Sequence, residues 1–122
     1  MSRFLLVFAL LISFFSTASA DWVTATLPIG TGPHIMAVNP ATNKIYMTNF
    51  NDNSVTVING VDNSTTNVTL GTTRTAPTAV GVNPVTDKIY VVNDSSNTVT
   101  VIDGITNLTT AVAVGDTPVA VG

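Results

Sequence analysis

The chain has 122 residues, of which 45% are hydrophobic and only 9% charged, with a formal net charge of −3, one histidine and no cysteine. Without cysteine there are no disulfides and no thiolate metal sites, so the fold depends on a hydrophobic core. The four cations are scattered along the chain and form no basic patch that could track phosphates, so nothing here supports nucleic-acid or anionic-membrane binding.

In residues 1–20, Arg3 precedes the apolar run "FLLVFALLISFF", which ends in the small, polar "STASA". This is the pattern of a secretory signal peptide, with Ala18 and Ala20 placed for cleavage after Ala20. An uncleaved anchor fits less well, because a bilayer-spanning helix needs roughly twenty apolar residues and this run is shorter. No cysteine lies near the junction to carry a lipid. The expectation is an exported protein, periplasmic, cell-surface or extracellular, with no membrane span after cleavage.

From Asp21 onward, Lys44, Arg74 and Lys88 are set against seven aspartates, and there is no glutamate or glutamine. The abundance of Val, Ile and Thr predicts strands and no helix. Residues 21–32 contain "WVTATLPIG", which aligns with "TNVTLGT" and "TAVAVGD" further on and reads as a lone fourth, closing strand. Residues 33–76 and 77–117 then form two copies of one unit. About half of the positions in 33–72 recur in 77–116, among them Pro33/Pro77, Asn39/Asn83, Lys44/Lys88, Tyr46/Tyr90, Val57/Val101 and Gly71/Gly115. Self-similarity at a fixed period points to a repeat architecture. The period is 41 residues from Gly30 to Gly71 and 44 from Gly71 to Gly115, with the extra residues in the loop "GTTRTAP". Residues 118–122 repeat the start of a unit and read as the first strand of a third.

Each unit predicts four short strands, in the first copy "HIMAV", "KIYMT", "SVTVI" and "TNVTL". "NPATN" and "NPVTD" suit tight turns, with an Asn that bonds its own backbone and a Pro that fixes φ. "NFNDN" and "NDSSN" supply residues tolerant of left-handed backbone, and Gly60 and Gly104 are expected at positive φ. Along the strands, Ile89 and Val91 oppose Tyr90 and Val92, so both faces are apolar, as a sheet covered on each side requires. A generic β-sandwich is the competing architecture. The reading is all-β: four-stranded antiparallel β-propeller blades repeating every 41–44 residues, in an incomplete ring.

The segments "KIYMTNFNDNSVTVING" and "KIYVVNDSSNTVTVIDG", each preceded by "VNP", resemble the YVTN-type β-propeller repeat family, with "YMTN" and "YVVN" at the name-giving tetrapeptide. The resemblance implies surface-layer or envelope-associated proteins of six to eight blades, most often seven, so the chain is expected to be the N-terminal part of a longer protein. It also implies that the N-terminal strand completes the final blade.

No catalytic, cofactor-binding or metal-binding set emerges. His34 stands without the partners a metal site needs. The Asn/Asp loops lack calcium-loop spacing, and turns account for them. Tyr46 and Tyr90 read as packing between blades, and Trp22 as packing of the closing strand. Sequons at Asn63, Asn67, Asn93 and Asn107 lie where Asn and Thr crowd the loops anyway. The expected function is a non-catalytic binding or scaffold module at the cell envelope, its partner a protein, glycan or small molecule. The alternative is the N-terminal part of a propeller enzyme, of lactonase or redox type, whose site groups come from further blades.

Overall fold

A computed structural model describes residues 23–122; the expected signal peptide (residues 1–20) and Trp22 lie outside them. Eight strands form two sheets. The first contains β1 (Pro33–Asn39), β2 (Lys44–Asn49), β3 (Ser54–Asn59) and β4 (Thr65–Thr69). The second contains β5 (Pro77–Asn83), β6 (Lys88–Asn93), β7 (Thr98–Asp103) and β8 (Thr109–Ala113). Strand order within each sheet is sequential, and every pairing is antiparallel. The first pairing of each sheet has a register shift at the same place, between Pro33 and Met36 and between Pro77 and Ala79. Repetition in sequence has become repetition of backbone, irregularities included.

The turns show why. Left-handed φ values fall on Asn43, Asn53 and Asn63 in the first sheet and on Asp87, Asn97 and Asn107 in the second. These are the residue types that adopt this conformation most readily after glycine. Gly60 and Gly104 are not among the positive-φ residues, contrary to expectation. They serve close approach instead. Each donates its N–H to a neighbouring turn, Gly60 to the Asn43 carbonyl and Gly104 to the Asp87 carbonyl, both at 2.8 Å. A Cβ at Gly60 would stand 2.5 Å from the Asn43 Oδ1.

The core lies between the two sheets. Tyr46, Val55, Val57 and Val68 of the first sheet join Val80, Ile89, Val91 and Ile102 of the second in one buried cluster. Register sets Tyr46 opposite both Ala37 and Val57, so these three share a face, which β5 packs against. On β6 the buried face is that of Ile89 and Val91, while Tyr90 points away and is half-buried. The contact is therefore front-to-back: the tyrosine face of one sheet covers the isoleucine face of the next.

Residues 23–32 and 117–122 belong to neither sheet. Neither segment forms a strand among the described residues, where the sequence predicts a closing fourth strand and a further first strand. Val121 still lies against the position of Gly81, on the tyrosine face of the second sheet.

Candidate functional site

Two arrangements stand out, the seam between the sheets and a cluster at one end of it. The seam is polar at its rim. Asn39 is fully buried and donates from Nδ2 to the Asp87 Oδ1 of the next sheet at 2.8 Å. The ammonium of Lys44 donates to the Gly104 carbonyl at 2.6 Å. The Tyr46 hydroxyl is buried without a partner. Burial, with the Asp87 carboxylate as a second cause, pushes its pKa up to about 12. Lys88, the counterpart of Lys44, instead donates to the Asp103 Oδ2 at 2.7 Å. That contact, helped by the Thr106 and Ile105 amides, holds the Asp103 carboxyl well below the usual range. Tyr90 borders an open concavity of about 300 Å³ with Gly81, Asn83, Pro84 and Val121. This is the place equivalent to the one β5 fills over Tyr46.

At the end where β2–β3 turns meet the links between sheets, asparagines act as clamps. Asn53 Oδ1 accepts from the amides of Thr75 at 2.9 Å and Ala76 at 3.2 Å, and from the Thr75 hydroxyl at 3.3 Å. Asn97 repeats this with the Thr117 amide at 3.0 Å. Ala76 and Thr117 both have positive φ, a costly conformation for these residue types that the clamp helps to hold. Asn49 and Asn93, the last residues of the two tetrapeptides, are buried. Each donates to two hydroxyls of the following strand, Ser54 and Thr56 or Thr98 and Thr100. Asn93 is therefore inaccessible as a sequon, whereas Asn63 and Asn67 are exposed.

His34, Phe50 and Arg74 meet on this same end. The Phe50 ring lies 6.1 Å from the imidazole of His34, and the Arg74 guanidinium sits 5.1 Å above the Phe50 centroid. None of the three follows the repeat. His34 is replaced by Thr78 and Phe50 by Asp94, and Arg74 sits in the loop that is longer in this copy alone. The one ion pair among the described residues is Lys88–Asp103, so Arg74 has no carboxylate partner there. Asp52, nearby in sequence, is engaged by the Thr31 hydroxyl and amide, which lower its pKa. Sequence reading considers His34 only as a metal ligand and gives Phe50 and Arg74 no role. Their departure from the repeat is the signal that marks them.

No family model matches the chain, and no curated protein matches it either. Solved structures do. Hydrazine synthase of Kuenenia stuttgartiensis superposes with a TM-score of 0.67 at 25% identity, over 82% of this chain and 29% of that one. Selenomethionine-substituted virginiamycin B lyase from Staphylococcus aureus gives 0.63 at 17% identity, over 70% of this chain and 28% of that one. A catalytically inactive form of that lyase with quinupristin gives 0.66 at 14%, over 76% and 31%. The chain thus spans less than a third of the length of these proteins. With two sequential four-stranded sheets packed front-to-back, it is an all-β chain of two β-propeller blades, an incomplete ring.

Proposed function

We propose that the chain is part of an exported, YVTN-type β-propeller that works as a non-catalytic binding or scaffold module at the cell envelope. One observation carries this reading. The residues that keep the repeat hold the blades together, whereas three that break it gather on one loop end. In repeat proteins the shared positions build the scaffold and the varied loop positions make the contacts. The signal-peptide pattern at the N-terminus supports export, and the motif order in each unit supports the family. Its partner is a protein, glycan or small molecule contacted from the loop end.

A second reading is favoured by the solved neighbours, which include two enzymes. In that reading the chain is the N-terminal part of a propeller enzyme whose reacting groups come from further blades. Fold likeness by itself does not choose between the two.

Fractionation of cells carrying the natural gene, with N-terminal sequencing and an activity screen on the native protein, tests both. The binding reading expects Asp21 at the N-terminus in an exported or envelope fraction, and no turnover of lactones or redox dyes. Retention in the cytosol with Met1 in place overturns export. Turnover by the native protein, lost with its other blades, establishes the enzyme reading.

A further inference from the structure

We infer that His34, Phe50 and Arg74 form a site for an oxyanion, a carboxylate or phosphate group carried by a small ligand. This deepens the binding-module reading and rests on it.

The first argument is availability of charge. Only three cations follow Ala20. Lys44 is committed to the Gly104 carbonyl across the seam, and Lys88 to Asp103. Arg74 remains, exposed and without a carboxylate among the described residues. The second argument is proximity. The Arg74 guanidinium carbon lies 5.1 Å from the Phe50 centroid and the exposed His34 imidazole 6.1 Å from it, so both polar groups border one aromatic ring. The forked N–H groups of a guanidinium beside such a ring grip a planar or tetrahedral oxyanion through two bonds. The third is rigidity. Phe50 donates its amide to the Gly32 carbonyl at 2.8 Å, and the link bearing Arg74 is held immediately afterwards by the Asn53 clamp. Three residues 16 and 24 positions apart are thus brought together by elements that are themselves pinned.

An exposed arginine–carboxylate pair contributes little in water, so a single site binds weakly. The predicted ligand is one that also presents a face to Phe50 or repeats its charge.

The test is a titration of the full chain, followed by NMR at the Arg74 Nε–H and His34 ring signals. Glucuronate, inorganic phosphate and neutral glucose are compared at constant ionic strength. Saturable shifts with glucuronate, phosphate or both, and none with glucose, are expected; the tighter anion identifies the source of the charge. Arg74→Ala should abolish saturation, and Arg74→Lys should weaken it roughly tenfold through loss of the forked hydrogen bonds. Both substitutions fall at an exposed position, and unchanged spectra elsewhere verify the fold. Shifts that never saturate, equal binding of glucose, or full binding by Arg74→Ala overturn the site. Export with Asp21 at the N-terminus, measured separately, would show that the binding-module reading survives such a failure.

Discussion

At the scale of the residue, the molecule depends on asparagines that do two jobs at once. Asn53 adopts left-handed backbone, φ 52°, and its Oδ1 satisfies the amides of Thr75 and Ala76, both buried. Asn53→Ala leaves those donors unpaired and should cost about 3 kcal/mol in urea denaturation, since each buried unsatisfied group costs about 1–3 kcal/mol. Asn53→Asp keeps the acceptor and should cost clearly less; equal losses would show that the clamp has no energetic role. Tyr46 is the opposite case, a buried hydroxyl without a partner. Removing such a group is close to neutral or stabilising, so Tyr46→Phe should be at least as stable as the native chain. It should also change the alkaline response. Because the folded pKa is raised from 10.0 to about 12, the folded state holds its proton longer than the unfolded one. Below pH 10 the neutral phenol makes no difference between the two states, and as pH rises from 10 toward 12 the unfolded state ionises first, so stability falls across that window. Denaturation midpoints across that window should fall less steeply in Tyr46→Phe; identical slopes would contradict the assignment.

At the scale of the element, the strands are legible in the sequence and the contacts between distant loops are not. "KIYVV" and "SVTVI" declare their period, so the opposition of Ile89 to Tyr90 follows from the residues alone. What decides which face is covered twice is the neighbouring sheet, and the consequence is measurable. Ile89 is fully buried at the seam while Val85, on the β5–β6 turn, is 92% exposed. Ile89→Ala should cost about 2–5 kcal/mol and Val85→Ala less than about 0.5 kcal/mol, read from urea midpoints. The glycines are legible as turn residues, but their role is a different one. Gly60 and Gly104 lack the positive φ expected of them, because Asn63 and Asn107 take the left-handed position and the glycine admits the adjacent turn. The His34–Phe50–Arg74 cluster escapes sequence reading for a physical reason: its members come from a strand start, a turn and a link, which only the antiparallel pairing of β1 with β2 and the return of β4 bring to one end.

At the scale of the whole molecule, the front-to-back contact between the two blades is the organising feature. The tyrosine face of the first blade is covered, and the equivalent face of the second is open around Tyr90, with Val121 at its edge. On the far side, the isoleucine face of the first blade exposes Met36 and Val38 at 59% and 52%. Both are apolar surfaces of the kind that neighbouring blades cover, and uncovered they favour association between chains. The chain alone should therefore self-associate as its concentration rises, seen by sedimentation, and Val101→Lys on the open face should reduce this. The central claim is that each blade covers the tyrosine of the one before it. The most direct test is chemical modification of Tyr90 in the native protein, with peptide mapping against unfolded protein. Protection of Tyr90 matching that of Tyr46 is predicted. Modification of Tyr90 at the unfolded rate, with Tyr46 protected, would contradict a third blade stacked on the second.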